Sequence, residues 1–210
     1  MNLLSLESFK KREDRTVWIH KYFAHLFKKT KVLDVGCHES PLRTLIGKQN
    51  YTGIDFLGKP DIKINLESIK RLPFKAQEFD TVICIEVLEH LENLHEISKE
   101  LFRVSNNHVL ISLPNCWRDA RVKIQKGGGA IAHYGLPLKK PLDRHKWFFT
   151  TSEAIDFLKS IKPNNYELKI TLTEPKRNFL LKFFRKLAYS NSAYQNKFCQ
   201  TIFAEYKIIK

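Results

Sequence analysis

Lys31-Val32-Leu33-Asp34-Val35-Gly36-Cys37-His38-Glu39-Ser40-Pro41-Leu42 is the stretch from which the architecture of this chain can be read. Its apolar opening, residues 32–35, has the character of a short buried strand. Gly36 follows at once, and a glycine in that place lets the backbone turn sharply and a ligand come close. Ser40-Pro41 then predicts a helix start, with serine at the N-cap and proline at the first helical position. Strand, glycine turn and helix N-terminus make one half of a nucleotide-binding unit. Tyr51-Thr52-Gly53-Ile54-Asp55 is the next strand. It ends in an acid about twenty residues beyond the first turn, which suits a carboxylate that accepts hydrogen bonds from ribose hydroxyls.

The alternation continues on the C-terminal side. Residues 61–65 read as a short strand and 79–85 as a buried one. Residues 92–104 read as a helix with Leu94, Ile97, Leu101 and Val104 on one face. Residues 108–113 form a strand that stops at Pro114, which cannot donate to a ladder. Repeated strand-helix-strand units with short connections predict a parallel α/β sheet covered on both faces. On the N-terminal side, Phe9, Trp18, Ile19, Tyr22, Phe23, Leu26 and Phe27 recur at helical spacing and predict a core-covering helix over residues 7–29.

Residues 115–149 break the rhythm. Gly127-Gly128-Gly129 and the proline-bracketed residues 136–141 forbid regular structure there. A long irregular segment after a sheet strand, carrying His133, Tyr134, Asp143, Arg144, His145, Lys146 and Trp147, is a candidate substrate lid. Order resumes at Thr150, which forms a capping box with Glu153. The helix it opens stops at Lys162-Pro163, and residues 166–173 and 198–208 read as the last strands. Between them, residues 176–190 read as a basic amphipathic helix. Phe179, Leu180, Phe183, Phe184 and Leu187 lie on one side, with Lys182, Arg185 and Lys186 on the other.

Of the 210 residues, 43% are hydrophobic, enough for a sizeable core in one domain. Cys37, Cys84, Cys116 and Cys199 lie far apart, with no CxxC pair. They predict reduced thiols in a cytosolic protein and neither a disulfide frame nor a zinc site. The opening residues do not resemble a secretory signal, and no uncharged run is long enough to span a bilayer. The net charge of +14 divides as +4 over residues 1–30, −2 over 31–99, +6 over 100–150 and +6 over 151–210. The nucleotide-binding half is slightly acidic, and its basic flanks predict an anionic partner: a phosphorylated substrate, nucleic acid or a lipid surface. A merely solubilising basic surface is the plainer alternative.

With Phe79-Asp80-Thr81-Val82-Ile83-Cys84-Ile85-Glu86-Val87-Leu88-Glu89-His90-Leu91, the two opening motifs resemble those of the class I S-adenosylmethionine-dependent methyltransferases. The likeness runs from about residue 31 to residue 158. One departure is that His38 and Ser40 stand where further glycines are common in the first loop. The resemblance implies a doubly wound, Rossmann-like sheet, mostly parallel with its last strand antiparallel and helices on both faces. It also implies S-adenosyl-L-methionine as cofactor and a leading helix beside or over its site. By the same resemblance Asp34, Gly36 and Cys37 would shape the pocket for the methionine end and Asp55 would bind the ribose. Phe56 would lie against the adenine, Asn65 near its edge, and Glu86 close to the sulfonium.

The expected organisation is one domain over 1–210. It comprises a leading helix in 1–30, a cofactor-binding core in 31–114, an acceptor-side insert in 115–149, and a C-terminal sheet half in 150–210 with the basic helix at 176–190. The expected reaction is methyl transfer to an oxygen or nitrogen of a small molecule or a glycan- or lipid-linked precursor. The alternatives are an RNA acceptor, motivated by the basic flanks, and cofactor binding without catalysis. Candidate bases are His90, His133 and His145, since imidazole exchanges protons near neutral pH. Tyr134, Arg144 and Trp147 are candidate acceptor contacts. The eight histidines are scattered, and only His90 and His95 fall close together, at a spacing poor for shared ligation. No metal is therefore expected. A cytoplasmic location follows, with the basic helix available for contact with an anionic membrane face and nucleic acid the less favoured partner.

Overall fold

The computed structural model describes residues 1–6, 9, 11–128, 131 and 133–209. Among these, the strands are β1 (Asn2–Leu6), β2 (Val32–Val35), β3 (Tyr51–Asp55), β4 (Ile62–Lys63), β5 (Phe79–Ile85), β6 (Ser105–Pro114), β7 (Tyr166–Pro175) and β8 (Thr201–Ile208). The helices are α1 (Arg12–Tyr22), α2 (Arg43–Ile46), α3 (Leu94–Val104), α4 (Cys116–Gln125), α5 (Thr151–Ser160), α6 (Phe179–Ala188) and α7 (Asn191–Phe198). All eight strands form one sheet in the order β1-β7-β8-β6-β5-β2-β3-β4. Strand β8 runs antiparallel to both its neighbours, β6 and β7, and every other pairing is parallel. This is the mostly parallel, doubly wound sheet with an antiparallel last strand that the sequence implies.

The apolar strand runs are long because both faces of the sheet are buried. In β5, Val82 and Cys84 face one core while Ile83 faces the other. In β6, Val109, Ile111 and Leu113 share the first core and Leu110 turns to the second. Residues Ile97 and Leu101 of α3 and Ala154 and Leu158 of α5 cover the first face. Ile19 of α1, with Phe23, Leu26 and Phe27 after it, covers the second. The capping box at Thr150 and Glu153 is formed, each side chain meeting the other residue's backbone N–H.

The departures from the sequence reading have local causes. The leading helix is shorter than residues 7–29: α1 ends at Tyr22, and Ala24–Leu26 is a 3-10 turn that drives both Phe23 and Leu26 into the core. Glu7, Ser8 and Lys10 of that expected helix lie outside the described residues, as does Gly129 of the glycine run. Strand β1, which was not foreseen, pairs with β7 at the sheet edge. Ser40 is not an N-cap. Its hydroxyl donates to the Lys59 carbonyl at 3.0 Å, its φ is +53°, and α2 begins only at Arg43. The segment 115–149 opens with α4, capped by the Asn115 side chain, which accepts from the Arg118 N–H at 3.1 Å. Helix α7 likewise starts from Ser190, whose hydroxyl accepts from the Ala193 N–H.

Candidate active site

The loops that leave β2, β3 and β5 meet at the carboxyl edge of the sheet, where a doubly wound fold places its ligand crevice. Gly36 turns the chain with φ of +78°, and a Cβ there would stand 2.2 Å from Val87 Cγ2. Both the left-handed conformation and the close approach of the β5 loop therefore require glycine. The Gly36 and Cys37 N–H groups donate to the Ile54 carbonyl at 2.8 and 3.2 Å, binding the first loop to β3. Asp55 completes this junction. One carboxylate oxygen accepts from the His38 N–H and the other from the Leu57 N–H, each at 2.8 Å. Gly58 lets the third segment close in: a Cβ on it would fall 2.4 Å from the His38 carbonyl. The non-glycine residues His38 and Ser40 both adopt positive φ. Contacts from the β3 loop hold them there, in place of the glycines common at those positions.

Asp34, buried near the end of β2, accepts a hydrogen bond from the Tyr51 hydroxyl at 2.7 Å. Burial pushes its carboxyl up to about 7, against the Tyr51 hydrogen bond that draws it down, while the Asp55 charge adds to the rise. Glu86, with φ of +52°, pairs with the Arg15 guanidinium, and the Thr201 hydroxyl stands 3.4 Å from its other oxygen. Helix α1 thus does more than cover the core. Its Ile19 packs under the sheet while Arg12, Arg15 and Thr16 face the crevice. The pairing of Arg15 with Glu86 spans 71 positions, so nothing in the local pattern announces it.

The crevice is a cavity of about 870 Å³, large enough for a nucleoside-sized ligand with an acceptor beside it. Asp34, Gly36, Cys37, Asp55, Phe56, Asn65 and Glu86 all line it, so the structure brings together every residue that the resemblance assigned to the cofactor. Asn65 also caps the turn after β4, accepting from the Glu67 N–H.

The opposite wall joins His90, from the loop after β5, to the segment before α5. His90, His133, Asp143, Arg144 and His145 line it. The Lys146 N–H donates to the Glu89 carbonyl at 2.8 Å, fastening this segment to the loop after β5. Tyr134 and Trp147 take other roles than the acceptor contacts expected of them. The Tyr134 hydroxyl lies 3.0 Å from His145 Nδ1, and the Trp147 indole N–H donates to the Leu91 carbonyl at 2.8 Å. Neither lines the cavity. Trp147 is drawn instead into edge contact with His95.

The three candidate bases form one cluster. The rings of His133 and His145 stack at 4.5 Å, and the His90 ring meets His145 edge-on at the same separation. One ring nitrogen or more from each lies within 4.8 Å of the others. Asp143 Oδ1 stands 2.5 Å from His90 Nδ1. Burial and the neighbouring imidazoles push His145 down to about 3, and burial also lowers His90. Beneath the cluster, Glu89 is 1% exposed and neither carboxylate oxygen has a hydrogen-bond partner. Burial first, and then the Glu86 charge, raise it well above the usual carboxylate range. Linear spacing offered no ligand cluster, whereas the fold brings the three imidazoles, up to 55 positions apart, within reach of one point. Glu89-His90 at the end of a buried strand was the available signal.

A model of a methyltransferase domain matches residues 18–111. The chain is 29% identical over 167 residues to a ubiquinone biosynthesis O-methyltransferase of Rickettsia conorii, covering 71% of this chain and 56% of that protein. It is 28% identical over 179 residues to the protein of the same name from Rickettsia felis, covering 76% of this chain and 72% of that one. The chain thus matches little more than half the length of the first of these relatives. A SAM dependent methyltransferase from Archaeoglobus fulgidus superposes with a TM-score of 0.58 over 94% of each chain, at 15% identity.

Proposed function

We propose that this chain is a class I S-adenosylmethionine-dependent methyltransferase, which the methyltransferase-domain match over residues 18–111 supports, and that it methylates an oxygen, or failing that a nitrogen, of a small molecule or of a glycan- or lipid-linked precursor. S-adenosylmethionine is its cofactor and supplies the methyl group already activated on a sulfonium. One observation carries the proposal. A cavity of about 870 Å³ has strand-end loops rich in acceptor groups on one wall and a ring of imidazoles on the other. The names of the two Rickettsia relatives support oxygen as the methylated atom.

The chain's own groups have separable tasks. Asp55, its carboxylate fixed by two loop N–H groups, accepts from ribose hydroxyls. Gly36 and Cys37 leave room for the methionine end, with Asp34 beside its amino group. Phe56 and Asn65 take the adenine, and Glu86, steadied by Arg15, stands toward the sulfonium. Arg144 and the imidazoles face the acceptor, hold it in line and exclude water. Calorimetry with S-adenosylmethionine, followed by assay of S-adenosylhomocysteine release over a panel of phenols, amines, a glycan-linked substrate and short RNA, tests this. Turnover with a phenol or amine is expected. Turnover with RNA alone would transfer the function to the RNA alternative. Binding without turnover on any class would leave a cofactor-binding protein.

A specific feature favours the lipid-linked option. The apolar side of α6 does not pack on the core. Phe179 is 76% exposed, Phe184 63% and Leu187 69%. Lys182 and Arg185 of α6, with Arg118 and Arg121 of α4, line a basic groove beside it. Aromatic and basic groups so arranged suit an anionic lipid interface. Because α4 also carries Asp119 on the main cavity, a membrane held at α6 would lie next to the acceptor wall.

A further inference from the structure

The geometry points to a divalent metal site in which His90, His133 and His145 hold a cation on the acceptor wall of the cavity, with Glu89 beside them as the charge that the cation would balance. Three observations converge on it. The first is the approach of the three imidazoles, each with a nitrogen within 4.8 Å of the others. Nitrogen ligands about 2.0–2.1 Å from one tetrahedral ion would stand roughly 3.4 Å apart, so the rings need only draw inward. Two of the three, His133 and His145, come from an irregular segment, which can make that adjustment.

The second is Glu89. A carboxyl group 1% exposed with no hydrogen-bond partner is costly to bury. No basic group donates a hydrogen bond to either carboxylate oxygen. Arg15 is engaged by Glu86, Arg144 donates to the Gly135 carbonyl at 3.2 Å, and the Lys146 ammonium turns outward to Glu67 and Glu92. Glu89 Oε1 instead lies 3.8 Å from His90 Nε2, next to one ring of the cluster. A cation held by those rings would balance its charge.

The third is the shell behind the rings. Asp143 Oδ1 stands 2.5 Å from His90 Nδ1, outside hydrogen-bond geometry, and its Oδ2 lies 3.9 Å from His133 Nδ1, so one carboxylate faces two of the rings. The Tyr134 hydroxyl and the Cys116 thiol lie 3.0 and 3.5 Å from His145 Nδ1, leaving its Nε2 for the site. A carboxylate behind a ligating imidazole is the usual way such rings are oriented. Three imidazoles with a carboxylate beside them suit a borderline ion such as zinc, cobalt or manganese rather than calcium. Bound there, the ion would offer an open coordination position to an oxygen of the acceptor. That placement on the acceptor side rests on the methyltransferase reading above, whereas the binding of the ion does not.

The test reads binding before activity. The full chain, stripped with chelator, is titrated with Co²⁺ while visible absorption is followed, and then with Zn²⁺, with bound metal counted by elemental analysis. One ion per chain is expected, with ligand-field bands and an affinity at least 100-fold weaker in H90A and in H145A. Because H90A could disturb the loop after β5, the exposed His133 gives a second variant, H133N, expected to weaken binding at least tenfold with an unchanged melting profile. H95Q, which removes an imidazole outside the cluster, should bind as the parent does. Binding of less than one ion, or equal binding by the parent, H145A and H133N, would overturn the site. S-adenosylmethionine calorimetry on the same metal-free samples separates this failure from failure of the cofactor assignment.

Discussion

Asp34 and Asp55 are both acids at strand ends, yet their hydrogen-bond partners give them different work: Asp34 meets the Tyr51 hydroxyl and Asp55 two loop N–H groups. Asp34 is buried and pushed up to about 7, whereas an unfolded chain would ionise it near 4. Between those values the folded state holds a proton that the unfolded state has lost, so stability falls as pH rises from about 4 to about 7. The full effect is on the order of 4 kcal/mol. In Asp34→Asn the fall between pH 5 and pH 8 should shrink markedly, and denaturant midpoints at the two pH values check it. A parent-like fall in the variant would assign the titration elsewhere. Asp55 uses its charge to hold two backbone N–H groups while keeping lone pairs for ribose. Each charge-assisted bond is worth about 1.5–3 kcal/mol. Asp55→Ala should therefore lose at least tenfold in S-adenosylmethionine affinity by calorimetry and also unfold at lower denaturant. Asp55→Asn should retain part of both. Unchanged affinity in a folded Asp55→Ala would remove the ribose assignment. These two acids and Gly36 were legible because their signals are local, a turn and a spacing. Arg15 at Glu86, and the meeting of His90, His133 and His145, were not, because they depend on how distant segments fold together.

Helical elements show where an apolar pattern misleads. The pattern Phe179, Leu180, Phe183, Phe184, Leu187 is as amphipathic as the face of α3, and the sequence alone made core packing its favoured use. The structure buries Leu94, Ile97 and Leu101 of α3 and buries no residue of α6. Periodicity reports that a helix has an apolar side and cannot say what covers it. The difference is measurable. Phe183→Ser/Phe184→Ser should leave the denaturation midpoint almost unchanged, as surface substitutions usually do. Phe203→Ala, at a fully buried position of β8, should cost about 3–5 kcal/mol. A comparable loss in the α6 variant would mean that its aromatic side is core after all. The segment before α5 is a second case. Glycines and prolines announced its irregularity, but the capping asparagine at 115 already announced α4, and the stronger breakers masked it. Tyr134→Phe removes the hydroxyl beside His145 without touching the cavity wall, so turnover should fall while cofactor affinity stays within about twofold of the parent, a change under roughly 0.5 kcal/mol. A matched loss of cofactor affinity would tie Tyr134 to the other wall.

Across the whole molecule, charge and shape divide the labour. The net charge is +14, yet residues 31–99, which form the cofactor side, carry −2. The positive excess lies in the flanking segments, and part of it gathers at the groove between α4 and α6. Charge alone would give weak, salt-sensitive attraction to any polyanion. An exposed apolar helix face alone would give binding indifferent to lipid charge. Together they predict a joint dependence on both at one surface. Each lysine or arginine close to an anionic leaflet adds roughly 1 kcal/mol, and screening at 0.1 M salt, with a Debye length of about 10 Å, removes much of the long-range part. Vesicles containing phosphatidylserine should therefore sediment the protein at low salt, less so at about 0.5 M salt, where screening acts within a few ångströms. Neutral phosphatidylcholine vesicles should sediment little. Phe183→Ser/Phe184→Ser should abolish sedimentation although its net charge is unchanged, and Arg118→Gln/Arg121→Gln should weaken it although the apolar face of α6 is intact. Retention of binding by the phenylalanine variant would reduce the interaction to nonspecific electrostatics, and absence of binding at low salt would sink the membrane dock. A short anionic RNA in the same assay separates the two polyanions. Competition by RNA in the parent, with no effect of the phenylalanine changes, would assign the basic groove to nucleic acid instead.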